Sequence, residues 1–143
     1  MLEIHKDQDL KSLLERARTI AVVGAKDKQG QPVDTVGRYL IQAGYNVIPV
    51  HPKRKGVWGL ETYSSLTEIP GHVDIVDVFR APEFCPDHAR EVLNMAELPL
   101  AFWMQLGITS QEAGDILQPA SITVIQDKCI KVEHERLMSA YSS

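Results

Sequence analysis

Short apolar runs alternate with amphipathic stretches along this chain. Residues 20–23, 45–50, 73–79, 100–104 and 122–125 are apolar-rich segments of strand length. Runs of that kind read as strands buried on both faces of a sheet. Residues 7–18 carry Leu10, Leu13, Leu14 and Ala17 at helical spacing, which predicts an amphipathic helix. A second helix carries Val33, Val36, Leu40 and Ala43 on one stripe; Pro32 suits its first turn and Gly44 its end. Residues 57–69 read as a short strand and a turn of helix capped by Ser64 or Ser65. A helix follows the turn Arg80-Ala-Pro82 and runs to about residue 97. Thr109-Ser-Gln-Glu112 has capping-box spacing, in which the threonine hydroxyl and the Glu112 carboxylate satisfy each other's orphan amides. That box predicts a helix over about 110–118, and 131–140 can close as a last one.

Strands alternating with helices predict an α/β, Rossmann-like, doubly wound sheet. It should be mostly parallel, with five to six strands and helices on both faces. Residues 1–143, 16.0 kDa, are expected to form one domain, with no repeat or linker in the sequence. In such sheets ligands lie outside the carboxyl ends of the strands, at the point where strand order reverses. Those ends here are Gly24-Ala25-Lys26, His51-Pro52-Lys53, Phe79-Arg80-Ala81, Met104-Gln105-Leu106 and Gln126-Asp127-Lys128. Polar residues follow nearly every apolar run, and that clustering predicts the site.

Two of these ends carry specific chemistry. Gly24 permits a sharp turn with exposed backbone, and the amides of Ala25 to Lys28 can face a phosphate as a nest. The full G-x-G-x-x-G pattern is absent, since Lys26 stands at the second glycine, and no P-loop lysine follows. An ordinary strand-to-loop glycine is the alternative reading. The second apolar run ends in His51-Pro-Lys53-Arg-Lys55, where nicotinamide-binding folds usually place an acid on a free ribose hydroxyl. Cations there suit a phosphorylated ribose instead. Pro52 fixes the turn and aims Lys53 consistently, although a run of cations is also what a solvated surface looks like. After the third run, Arg80 suits a phosphate and Phe79 an adenine; a core phenylalanine beside an arginine paired with Glu83 or Asp87 fits as well.

Composition trims the alternatives. A net charge of −4 argues against nucleic acid as the main partner. Cys85 and Cys129 make no disulfide framework, the N-terminus lacks a signal-peptide pattern, and no apolar run approaches the roughly 20 residues of a membrane span. The expectation is a cytoplasmic protein. The five histidines show no metal-ligand spacing, and His51 is placed to shape the pocket rather than to transfer protons. Cys129, near Glu133 and His134, invites a thiol-nucleophile reading, but a buried small hydrophobe fits it better. Trp58 and Trp103 read as core.

In order and spacing the segments resemble the stand-alone CoA-binding domain family. These are small bacterial and archaeal relatives of the CoA-binding domain in succinyl-CoA synthetase α subunits. The resemblance covers about residues 10–138 and rests on Ile20-Ala-Val-Val-Gly24-Ala, Val36-Gly-Arg-Tyr-Leu40 with Gly44-Tyr45, and Val50-His-Pro-Lys53. It continues through Gly59-Leu-Glu-Thr-Tyr63, Val73-Asp-Ile-Val-Asp-Val-Phe-Arg80, Phe102-Trp-Met-Gln-Leu-Gly-Ile108 and Asp127-Lys-Cys-Ile130 with Glu133-His134. It implies coenzyme A lying across the strand ends. Gly24, Ala25, Lys26 and Lys28 would meet the pyrophosphate region, and His51, Pro52 and Lys53 the phosphorylated ribose. Phe79, Arg80, Met104 and Gln105 would line the rest of the groove. The family often has Ser where Lys26 stands and Asn where His51 stands. The synthetase's second domain, with its phosphohistidine chemistry, has no room in 143 residues.

The expected function is therefore binding of CoA or an acyl-CoA, as a carrier, sensor or partner subunit with no catalytic residues and no metal. Neither nucleic acid nor membrane is expected as a partner, and a protein partner stays open. The alternative is a small NADP-dependent or thiol-dependent enzyme.

Overall fold

The computed structural model describes residues 5–138. Its sheet has five strands: β1 (Thr19–Val23), β2 (Asn46–Val50), β3 (Ile75–Val78), β4 (Ala101–Met104) and β5 (Thr123–Ile125). They run in the order β2-β1-β3-β4-β5, and every neighbouring pair is parallel. Five helices accompany them: α1 (Asp7–Arg16), α2 (Pro32–Gln42), α3 (Cys85–Leu93), α4 (Gln111–Leu117) and α5 (Ile130–Met138). The Rossmann-like expectation holds, at the lower of the two strand counts and with all pairs parallel.

Alternation along each strand divides the core. Ile20, Val22, Ile75, Ala101 and Trp103 pack with Leu10, Leu14, Val36, Leu40, Ile130 and Leu137, so α1, α2 and α5 cover one face. Ala21, Val23, Val76, Val78, Phe102 and Met104 pack with Cys85, Ala89, Val92, Ala113 and Leu117, so α3 and α4 cover the other. Both faces are dry, which is why the strands read as continuous apolar runs instead of alternating ones. Chain order reverses at β1: one connection leaves it toward β2, and the next places β3 on its opposite side. The crevice between the carboxyl ends of β1 and β3 is the switch point where such sheets take ligands.

Three local expectations are corrected. Residues 57–69 form two 3-10 turns, Val57–Gly59 and Leu66–Glu68, with a lone bridge between Val50 and Tyr63 in place of a strand. Ser65 stands at the N-cap of the second turn without a side-chain cap bond, and the Ser64 hydroxyl donates to Glu68. The helix after β3 stops at Leu93, short of residue 97. The capping box is displaced by one residue. Ser110, not Thr109, is the N-cap and accepts the Ala113 amide at 3.1 Å, while Glu112 pairs with Arg90. The expected helix over 131–140 starts at Ile130, and its last two positions lie outside the described residues.

Candidate functional site

Gly24 closes β1 and opens the site. Its φ of +86° is a left-handed conformation, and a β-carbon there would lie 2.5 Å from the Phe79 carbonyl oxygen. Glycine is needed on both counts. The amides of Gly24 and Ala25 donate to the Val50 carbonyl at 3.0 and 3.2 Å. Ala25 is also buried. The expectation that Ala25 meets a phosphate is thereby corrected: its donor is spent on β2. The amides of Lys26, Asp27 and Lys28 have no acceptor among the described residues.

A cleft of about 440 Å³ follows the switch point. Gly24, Lys26 and the first turns of α2 (Gln31, Pro32, Val33, Val36) line it on one side. Phe79, Arg80 and Ala81 from β3, and Gln105, Leu106 and Ile108 from β4, line the other, with Cys129 at the β5 end. Both of the cleft's charged groups, Lys26 and Arg80, stand at the β1–β3 end; toward β4 and β5 the lining is uncharged. The valine stripe of α2 was legible as a core stripe only. Because α2 begins over the switch point, the same stripe walls the cleft.

The loop after β2 lies beside the charged end. His51 Nδ1 accepts the amides of both Lys53 and Arg54 at 3.0 Å. Burial, and then the charges of Arg54, Lys26, Arg80 and Lys53, hold the His51 imidazole below its ordinary pKa. Cations that follow β1, β2 and β3 are therefore near enough for their charges to act on one imidazole. Arg54 lies 3.7 Å from Asp27, joining the first two loops through a half-exposed pair of small energetic weight. The Arg80 guanidinium sits 4.3 Å from the centre of the Phe84 ring, not on Glu83 or Asp87. Lys53 and Lys28 are exposed, and Lys53 and Lys26 have no carboxylate partner among the described residues.

Two strand-end expectations change at β4. Met104 is fully buried on the α3/α4 face, so its side chain does not reach the cleft. Gln105 does line it, yet its side chain is spent inward: Nε2 donates to Asp77 and Oε1 accepts the Ile130 amide at 3.3 Å. Asp77 is fully buried in β3, burial pushes its carboxyl far above the usual range despite the Gln105 bond, and its Oδ2 has no partner among the described residues. An acid inside Val73-Asp-Ile-Val-Asp-Val-Phe79 was the visible signal for this buried pair.

The thiols separate. Cys85 is buried in α3, and burial pushes its thiol up to about 11 despite Arg80 nearby, which leaves it unreactive. Cys129 is partly buried and packs against the α1/α2/α5 core as expected, and it also lines the cleft. Its sequence neighbours are otherwise engaged. His134 Nδ1 meets the Tyr39 hydroxyl at 2.6 Å, and Glu133 holds Arg136 at 2.6 Å. Trp103 is core, as expected. Trp58 is half-buried and donates to Asp34 at 2.8 Å.

Among the described residues no group of three or more His, Cys, Asp or Glu is arranged for a metal, and no helix is long and apolar enough to cross a membrane. Residues 18–135 match the family of the CoA binding domain. This chain belongs to the CoA-binding domain family. It is 41% identical over 126 residues to the uncharacterized protein YneT of Bacillus subtilis (strain 168), covering 88% of this chain and 92% of that one. A trans-feruloyl-CoA synthase from an unknown prokaryotic organism is 31% identical over 88 residues, 60% of this chain but 12% of the synthase. Among solved structures, protein ID.343 of Thermus thermophilus aligns with a TM-score of 0.87 at 42% identity, over 94% of this chain and 100% of that one. A hypothetical protein from Pyrococcus horikoshii OT3 aligns at 0.89 and 30% identity, over 96% and 99%.

Proposed function

We propose that this family member binds coenzyme A, or an acyl-CoA, across the carboxyl ends of the strands, as a carrier, sensor or partner subunit without chemistry of its own. The observation that carries the reading is the charge gradient along the site. Lys26, Lys53, Arg54 and Arg80 gather around His51 at the β2–β1–β3 end, and an uncharged cleft continues past Phe79 toward Leu106, Ile108 and Cys129. Coenzyme A has the same gradient, with three phosphate groups at one end and a long uncharged arm ending in sulfur at the other. In this reading Lys26 and Lys28 serve the pyrophosphate beside Gly24, which only lines the approach, with His51, Pro52, Lys53 and Arg54 at the ribose phosphate. Arg80 flanks both, and the arm runs over Phe79, Ala81 and Gln105.

Thermal unfolding with CoA, NAD and NADP tests it. A ligand at 100 times its Kd adds about 2.7 kcal/mol of stability. CoA should raise the melting temperature and NAD should not, because no acid follows β2 to hold a free ribose hydroxyl. An equal or larger shift with NAD would overturn the reading.

One observation favours the thiol-dependent alternative: Cys129 lines the cleft. We predict that Cys129→Ser and Cys129→Ala bind CoA within about tenfold of the wild type, since a thiol's packing contact is worth roughly 1 kcal/mol. A larger loss in a folded variant would bring the thiol into the chemistry.

A further inference from the structure

We propose that His51 is the positioning residue of the phosphate end, holding the cation-bearing turn in its binding shape through an unprotonated Nδ1. The proposal rests on the CoA reading above and adds the device that sets that site's geometry. Nδ1 lies 3.0 Å from the amide of Lys53 and 3.0 Å from that of Arg54, and it accepts both. A nitrogen that accepts carries no proton, so the neutral imidazole bears its hydrogen on Nε2. The backbone of His51 is fixed separately, its own amide donating to the Tyr63 carbonyl at 2.9 Å. Pro52 brings no amide and a fixed φ. With the ring anchored behind them and the proline between, the next two residues have little freedom except through those two bonds.

Acceptance of the amides two and three positions on is the pattern an Asn or Asp side chain makes in an Asx turn. A histidine in that role differs in one respect: a proton on Nδ1 turns the acceptor into a donor facing two donors. The groups bearing on the ring are Arg54, Lys26, Arg80 and Lys53, with Asp27 paired to Arg54. All four cations disfavour that proton, so the same charges that suit a phosphate also keep the turn closed at neutral pH. Release belongs to acid solution, below the ordinary histidine range of about 6.5. A bound phosphate offsets part of this field and favours the proton. Loss of two hydrogen bonds to the turn outweighs that screened attraction.

The test has a ligand-free arm and a binding arm. Backbone amide shifts of Lys53 and Arg54 are followed by NMR in the free protein through the histidine range, together with the His51 ring nitrogens. Both amides should move with the titration of the His51 ring and stay flat in His51→Asn, which retains an acceptor without a titration. In binding, the preference for CoA over dephospho-CoA should fall about tenfold in His51→Ala. It should persist in His51→Asn at neutral and acid pH, and decline on acidification in the wild type alone. Amides that ignore the ring, a preference untouched in His51→Ala, or a wild-type preference that grows in acid would each overturn the proposal. If the wild type binds no CoA at any pH, the CoA reading fails instead. The amide titration then still decides whether His51 holds the turn.

Discussion

At the scale of single residues, Asp77 makes the sharpest prediction. Its carboxyl is raised on folding because burial disfavours the charge more than the Gln105 bond favours it. A raised carboxyl contributes its full stability below the unfolded value of about 3.9, and that contribution is lost as pH rises through the folded value. Asp77→Asn keeps an oxygen for Gln105 Nε2 and removes the titration. The variant should melt above the wild type at neutral pH, and the gap should close toward about pH 4. A variant melting below the wild type at neutral pH would mean the acid is needed in its ionised form. Residues of this kind test what a sequence discloses. The turn at Gly24 was legible, because a glycine that ends a buried strand is a departure with a local cause. Met104 was misplaced. Strand periodicity gives alternation but not phase, and nothing local says that Trp103 faces α1, α2 and α5 while Met104 faces α3 and α4.

At the scale of elements, α2 is held by a lock that no period reveals. The Trp58 backbone is left-handed, at φ 56°, and its indole donates to Asp34 while the ring lies over Gly37. A β-carbon at Gly37 would meet that ring at 2.2 Å. In an exposed helix Gly→Ala stabilises by about 1 kcal/mol. Here the sign should reverse, because overpacking against a bulky ring costs typically 1–3 kcal/mol. Gly37→Ala should therefore lower stability by about 1–2 kcal/mol and shift Trp58 fluorescence. It should also loosen CoA binding, since α2 carries the Val33 and Val36 wall of the cleft. A stabilised variant with unchanged fluorescence would show that Trp58 does not depend on the missing side chain. Existence and order of the strands and helices were legible because dry strands and one-sided helices have distinct patterns. The ends were less so. Thr109 and Ser110 are adjacent hydroxyls; Ser110 takes the cap, while Glu112 reaches Arg90 in a contact across α3 and α4.

At the scale of the whole molecule, topology concentrates charge that composition conceals. The chain carries a net charge of −4, yet its parallel order 2-1-3-4-5 brings Lys26, Lys53, Arg54 and Arg80 together at one end of the strand tips. These cations are partly or largely exposed, so salt screens them. Raising ionic strength from about 0.1 to 1 M shortens the Debye length from about 10 to 3 Å. CoA affinity should fall roughly tenfold across that range, and dephospho-CoA affinity by less. Salt-independent CoA binding would place the ligand away from the cluster. Convergence of loops distant in sequence belongs to the fold, which is why the cleft's wall at Cys129 was not legible while the ends of β1 and β3 that line it were.

Affinity for CoA and dephospho-CoA, measured on the wild type and on Lys53→Ala, asks most directly whether the cation cluster reads a phosphorylated ribose. Lys53 is exposed, so its pairing with the 3′-phosphate is worth at most about 1 kcal/mol, or roughly fivefold. The wild type should prefer CoA, and Lys53→Ala should narrow that preference by roughly three- to fivefold while leaving dephospho-CoA unchanged, a coupling that the double-mutant cycle isolates. Equal binding of the two ligands by the wild type would contradict the account, because no part of the cluster would then be reading the phosphate.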